Sequence, residues 1–571
     1  MDRPSGFRGE WRTDDVTRAV YSEAAGIHRL MPTAVAVPAD ADDVATLTAW
    51  AAAEGVALTP RGAGSSMAGG AVGSGVLVDL SRLDALAPVR SHAVSFGADD
   101  DEDQEPTSRF DADVAEMDLE YQAVEVGPGV LCDALVAHAD AADLLWAHRP
   151  SSHAFCTIGG MVATNAAGPR WPHTGDLPLR GSIIGLDCVF ADGSRGWVHL
   201  HRALPDCAPV ARALEVGPGP ERVASGLQSS QLRKRSSGYF AEGHTDQEWL
   251  LNALIGSEGT LATFVGIDVV LDEPAPATSL LVIGFDDLDA AAEAAAIAVE
   301  VGAVACECFD RTFLDLSGAR ETYGLPEETE IVLLMEVRQI PEEEDHPGPE
   351  SVEAGFAEMQ GVCHLERTED AERTRALWEL RKAASPMLAA LPGTVRSMQV
   401  IEDGVVPPVQ LAKYLRGVRA LCEAKGIPVV MFGHALHGNI HANVLVDVTV
   451  EGWQAKLDDL FLDVTALVKS LGGLMSGEHG DGRLRAGVMD RLWPAKDMAW
   501  FHALKEAMDP QGILNPGVKF AARGAPLLGA PNKYDPALEP LPAVARQVLD
   551  RVQGERLWGR NRLDMLGELG S

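Results

Sequence analysis

The segment HRPSSHAFCTIGGMVATNAAGPRW, residues 148–171, reads either as a linker or as a piece of a binding site. Its glycines, alanines and serines suit a loop. Ile158, Met161 and Val162, however, bring apolar side chains that need packing. The paired Gly159 and Gly160 let the backbone come close to a flat or charged ligand. A packed segment of small residues is a turn that faces a ligand, and the neighbouring chain supports that reading.

Two further stretches share its character. PRGAGSSMAGGAVGSG (Pro60–Gly75) follows a strand-like VALTPRG and precedes a strand-like VLVDLSRL (Val76–Leu83). It is not the dinucleotide fingerprint, because Met67 stands where G-x-G-x-x-G requires its last glycine. The loop also leads to a strand, not to a helix N-terminus. Small residues between two strands can instead form a nest of backbone N–H groups around phosphates, with Arg61 as a fixed cation and Ser65 and Ser66 as hydroxyl donors. GSEGT (Gly256–Thr260) is the third stretch, and three independent linkers do not explain the set.

Around these segments the pattern is mixed. DADDVATLTAWAAAEG (Asp40–Gly55) predicts a helix with Asp caps, a stripe of Val44, Leu47 and Ala51, and a Gly55 stop. YQAVEVGPGVLCDALVAHA predicts strand, turn and helix. GADDDEDQEP (97–106) and EEEDHPGPE (342–350) read as solvated loops, and DEPAPAT (272–278) as a linker. SLLVIGFDDLDAAAEAAAIAVEVGA then opens a strand–helix pattern that returns at IVLLMEV.

The net charge of −37 comes from 84 acidic against 47 basic residues, of which only 10 are Lys. Such a surface repels nucleic acid and anionic membranes, which argues against either as main partner. It suits a salt-rich, halophilic cytosol, where self-repulsion is screened. The eight cysteines form no C-x-x-C, so a Cys-ligated cluster is not expected and the thiols should be buried and reduced. No apolar run of membrane-spanning length and no signal-like start is seen, so a cytoplasmic protein is expected.

The ordered motifs PRGAGSSMAGGAV, RPSSHAFCTIGGMVATNAAG, RKRSSGY, GSEGTLATF, GHALHGNIHANV, GEHGDGR and DPQGILNPG make the chain resemble a known family over roughly residues 30–520. It is that of FAD-dependent oxidoreductases of the vanillyl-alcohol oxidase/p-cresol methylhydroxylase (PCMH) type, in the branch of D-lactate dehydrogenase, D-2-hydroxyglutarate dehydrogenase and the glycolate oxidase FAD subunit. The resemblance implies an α+β fold: an N-terminal segment (1–29), a PCMH-type FAD-binding domain (30–275), an α/β substrate or cap domain with an antiparallel sheet (276–520), and a C-terminal tail (521–571). It implies FAD contacts from Arg61, Gly62, Ala63, Gly64, Ser65 and Ser66, from Pro150, Ser152, Thr157, Gly159, Gly160, Asn165 and Gly168, and from Glu258, Gly259, Val265 and Asn515. His148 and His153 lie near the second loop as candidates for covalent flavin attachment, although the family branch holds FAD non-covalently.

GHALHGNIHAN carries His434, His437 and His441, and its glycines argue for a strand or turn that brings His434 and His441 together. Hydrogen-bonded structural histidines are the plain alternative. SGEHGDGRLRAG (Ser476–Gly487) adds Glu478, and two imidazoles with one carboxylate make a three-ligand site for zinc or a similar divalent metal. The resemblance implies the same set, with the metal touching substrate, and this chain has His437 where relatives often have Asp. His479 is the expected base. Arg381, with a planar fork suited to a carboxylate, and secondarily Arg396 are the expected substrate cations, with Asn443 as a further substrate contact.

The expected reaction is oxidation of a small-molecule D-2-hydroxy acid, with D-lactate, glycolate and D-2-hydroxyglutarate unresolved. A separate electron acceptor, a quinone or an iron–sulfur partner, is expected. Peripheral association with a membrane and a homodimer are both left open. The alternatives are an oxidase that uses O₂ on another alcohol and a non-catalytic FAD-binding subunit; the intact GEHGDGR argues against the latter.

Overall fold

The structure is a computed structural model and describes residues 1–94, 119–166, 168–170, 179–219, 232–240, 242–339, 347–389, 391 and 393–569. The acidic stretch 97–106 lies outside the described residues, as does most of 342–350.

The first sheet holds β1 (Glu10–Arg12), β2 (Ala34–Val37), β3 (Leu58–Arg61) and β4 (Val76–Asp79) in the order β1-β2-β4-β3. The last three strands are parallel. Between them run α1 (Asp15–Tyr21) and α2 (Ala41–Glu54). The Asp40 carboxylate accepts from Asp43 N–H at the start of α2, and Gly55, at φ +65, ends it. Its stripe of Val44, Leu47 and Ala51 packs with Leu58, Val76 and Val78. β4 stops short of Leu83 because Asp79 turns the chain by accepting from Ser81 N–H at 2.9 Å.

A second, antiparallel sheet contains β5 (Arg90–Val94), β6 (Leu119–Val126), β7 (Ile183–Val189), β8 (Arg195–His199) and β9 (Thr263–Leu271), in the order β5-β6-β9-β7-β8. Helices α3 (Cys132–Asp140) and α4 (Ile158–Thr164) lie beside it, the latter within the glycine-rich segment 148–171.

The third sheet is also antiparallel: β10 (Thr278–Phe285), β11 (Ala303–Asp310), β12 (Ile331–Arg338), β13 (Val362–Thr368), β14 (Val395–Met398), β15 (Gly404–Val405), β16 (Val429–His434) and β17 (Asn439–Asp447). The order is β13-β10-β12-β11-β16-β17-β14, with β15 on β17. Strand alternation splits its side chains between two cores. Leu281, Ile283 and Phe285 join one with α5 (Leu288–Ile297); Leu280, Val282 and Phe432 join the other with α6 (Arg311–Ser317) and α7 (Ala371–Ala389). Helix α8 (Leu411–Lys425) is on the α5 side.

The terminal segments do not stand apart. β1 pairs with β2, and α1 packs on α9 (Ala543–Gly554) and α10 (Arg562–Leu569) of the tail. Leu58 N–H donates to Ile513 O, tying the end of the second half into the first sheet. Six of the eight cysteines are buried free thiols, while Cys207 and Cys363 are partly exposed.

Candidate active site

One cavity of about 1030 Å³ runs between the two halves of the chain, larger than a drug-sized ligand needs. At one side lies the loop 62–67, and its backbone is oriented from behind. Arg562 Nη2 donates to Ala63 O at 3.1 Å, Ala25 N–H to Gly64 O at 3.0 Å and Gly26 N–H to Ser66 O at 3.3 Å. In a trans peptide the N–H points opposite to its carbonyl, so Gly64, Ser65 and Met67 turn their N–H groups the other way. None of the N–H groups from Gly62 to Met67 donates to a protein acceptor among the described residues, and the buried Ser66 Oγ also has no partner. Such a row of unmet donors fits a pyrophosphate. Gly64 takes φ +74, and a Cβ there would fall 2.4 Å from the Arg61 guanidinium.

From the second glycine segment, Pro150, Ser152, Thr157, Gly159 and Gly160 line the cavity, as do Glu258 and Gly259 of the third. Asn165, Gly168, Val265 and Asn515 do not line it. Asn165 caps α4 at φ +53 and donates to Arg235 O, and Asn515 donates to Gly70 O and Glu258 O. These asparagines brace the loops. His148 is buried against Ser182 and His153 pairs with Asp133; neither lines the cavity.

At the other end the third sheet supplies side chains. His434 and His441 sit on the β16–β17 hairpin, where Phe432 faces His441 across the strands and Glu307 of β11 faces His434. Nε2 of His434 lies 3.3 Å from Nε2 of His441, and Glu478 Oε1 is 2.9 and 3.4 Å from them. His434 Nδ1 is bonded to Glu307, and His441 Nδ1 to the Glu402 carbonyl at 3.0 Å. With the proton on each Nδ1, both Nε2 atoms present lone pairs toward one another and toward the Glu478 carboxylate. In that tautomer the three atoms form a candidate cation site. Their spacing is that of ligands at about 2.0–2.2 Å from one ion, which puts donors roughly 2.9–3.5 Å apart. The trio fits a divalent metal. Its hydrogen-bonded outer partners are the kind that orient ligating imidazoles.

Glu478 has its second oxygen occupied: Lys234 Nζ donates to Oε2 at 2.8 Å and Gly168 N–H at 3.2 Å. Burial opposes its ionisation, but Lys234 and His434 outweigh that and hold its pKa well below the usual carboxylate value. The backbone here hangs on Asp403, which accepts from His479 N–H at 2.8 Å, Ser476 Oγ at 2.9 Å and Glu478 N–H. Gly480 (φ +82) and Gly482 (φ +54) take left-handed conformations, and Cβ atoms there would strike the Glu258 carboxylate and Ala68 O. Gly477 needs no such conformation; its missing side chain leaves room for the Asn439 amide.

His479 Nδ1 donates to Glu402 Oε2 at 2.5 Å, and its Nε2 stands 3.8 Å from Glu478 Oε1. Burial disfavours its cation, but the Glu402 and Asp403 carboxylates outweigh that and hold the imidazole up at about 9. A cation held by the neighbouring trio would oppose that rise. Arg381, 6% exposed, reaches the cavity from α7 with Nε on Glu307 and its guanidinium over the Phe432 ring. Arg396 and Asn443 also line the cavity; Arg396 Nη1 donates to Gly393 O and Val395 O, while the Asn443 amide donates to His441 O and accepts from Ser397 Oγ.

Sequence reasoning missed Glu307, Glu402, Asp403 and Lys234. Burial pushes the Glu307 carboxyl up, but His434 and Arg381 bring it down to about 2, so it is a buried anion joining the His434 imidazole to a cavity cation. The only signal for it was an acid flanked by two cysteines in an apolar strand. Among the described residues no helix is long and apolar enough to cross a membrane.

Comparison with known proteins covers both halves. A model described as "FAD linked oxidases, C-terminal domain" matches residues 275–518, and one described as "FAD binding domain" matches 32–98 and 107–198. D-2-hydroxyglutarate dehydrogenase of Pseudomonas putida is 29% identical over 97% of this chain and 54% of its own length, so the chain spans about half of that relative. Glycolate oxidase subunit GlcD of Bacillus subtilis is 25% identical over 88% of this chain and 92% of its own. A solved 4-ethylphenol oxidase from Gulosibacter chungangensis shares the fold with a TM-score of 0.56 at 16% identity, covering 90% of this chain and 95% of that one. The glycine segments at 60–75 and 148–171 thus fall within the FAD-binding match and the histidine hairpin within the oxidase match, and the chain belongs to the FAD-linked oxidoreductases.

Proposed function

We propose that this chain oxidises a D-2-hydroxy acid to the 2-oxo acid. The observation that carries the reading is the convergence of His434, His441 and Glu478 at the cavity end where Arg381 and His479 also point. The names of the D-2-hydroxyglutarate dehydrogenase and glycolate oxidase relatives support the same substrate class. FAD supplies the acceptor for the hydride from the substrate Cα, and a divalent metal at the trio would supply a Lewis acid for the substrate hydroxyl.

The chain's own residues do the rest. Arg381, pinned through Nε by Glu307, presents its Nη atoms to the substrate carboxylate. His479 takes the hydroxyl proton at Nε2, and Glu402, bonded to Nδ1, fixes the tautomer this requires. Asn443 and Arg396 bound the same space, and a separate acceptor would be needed to take the electrons from the cofactor.

The test is anaerobic mixing of the yellow protein with D-lactate, glycolate and D-2-hydroxyglutarate. Flavin bleaching by at least one is expected; a flavin that stays oxidised with all three ends the proposal.

A further inference from the structure

Residues 521–571 lie beyond both matched domain models, yet they line the cavity, and the stretch from Arg546 to Trp558 does so beside Phe155 and the phosphate loop. The loop gives the cavity a direction. At its start Ala63 O is held by Arg562, and at its far end a Cβ on Gly70 would lie 3.3 Å from the Glu258 carboxylate. Glu258 in turn accepts from Asp481 and Gly482 N–H next to the Glu-His segment. Arg562 therefore meets the loop at the end away from the trio, whereas the earlier tail residue Tyr534 lies under Arg396 at the other.

The tail is shaped for that place. Arg556 is held at φ +55, a conformation non-glycine residues resist, and its guanidinium lies 5.0 Å over the Phe155 ring. Trp558 lines the cavity beside it, with the Arg562 guanidinium 5.6 Å from its ring. Of the cavity-lining cations here, Arg61 has a buried Nη2 with no acceptor among the described residues. Cations, unmet donors and aromatic rings at one spot match a nucleoside diphosphate, whose phosphates are anionic and whose base stacks. With the reacting ring of the flavin at the metal end, that is the half of the cofactor left for this end.

We propose that the segment from Arg546 to Arg562 is part of the cofactor site and binds the adenosine diphosphate half of FAD. Arg556 and Trp558 contact the ligand, and Arg562 positions the phosphate loop by holding the Ala63 carbonyl away from it. The inference rests on FAD binding by this chain.

The experiment titrates FAD and FMN into the flavin-stripped full-length chain, following flavin fluorescence, for the wild type, Arg556→Ala, Trp558→Ala and Arg562→Lys. Arg556 and Trp558 are at least partly exposed, so those variants test the wall without emptying a core. The expected result is FAD binding weakened about tenfold in each, with FMN binding unchanged in Arg556→Ala and Trp558→Ala. Unchanged FAD affinity overturns the proposal, as does equal weakening of FAD and FMN in those two variants. A wild type that binds neither flavin would instead overturn FAD binding itself.

Discussion

The two ends of the cavity are built from different materials. At the phosphate loop the donors are backbone N–H groups set by carbonyls tied down behind them. At the His-His-Glu trio the ligand atoms are on side chains, each fixed by another buried group: His434 by Glu307, His441 by the Glu402 carbonyl and Glu478 by Lys234. The first end needs residues that get out of the way; the second needs particular functional groups brought from distant strands. They should therefore fail separately, flavin loss at one and metal loss at the other.

The hardest blow to the metal end is Glu478→Gln. It should remove the bound metal, seen by metal analysis, and cut turnover roughly 10³-fold, while flavin absorbance stays at the wild-type level. Chelation of the wild type should do the same reversibly. If the flavin leaves with the metal, the two ends are not independent. Glu307→Gln is milder, since it leaves all three ligands in place but loosens both His434 and Arg381. A metal-affinity loss of about 10–100-fold by competition with a chelator is expected, again with flavin retained.

Gly64→Ala strikes the opposite end. Its Cβ meets Arg61 at a left-handed backbone position, so FAD affinity should fall about tenfold, while metal content is unchanged. The smallest effect is Asp40→Ala, which removes the cap of α2 and should cost about 1 kcal/mol of stability in thermal unfolding. Flavin and metal content should both survive it.

The same contrast explains which residues the sequence reveals. A backbone site advertises itself through runs of glycine, so the loop at 60–75 is legible from composition and order alone. His434 and His441 are legible too, because a hairpin joins them locally. Glu307 is not: its role depends on lying opposite His434 in another strand, a pairing 127 residues apart that no local pattern encodes. Arg562 reaches Ala63 across 499 residues, and a lone arginine in a surface-patterned helix carries no sign of that contact. Asn165 and Asn515 share motifs with the residues they brace; sequence proximity does not separate bracing a ligand site from lining it.

The hairpin that holds His434 and His441 also has a kinetic meaning. Side chains alternate along β17, so a pairing shifted by one residue would send His441 to the opposite face of the sheet and leave the trio broken. Glu478 joins the trio from a loop outside the hairpin and Glu307 of β11 holds His434, so the arrangement is complete only once that loop and a remote strand are in place. An ion that prefers all three ligands would then bind only correctly zipped molecules. Metal occupancy would serve as a chemical readout of proofreading in folding, scoring the alignment of the sheet one molecule at a time.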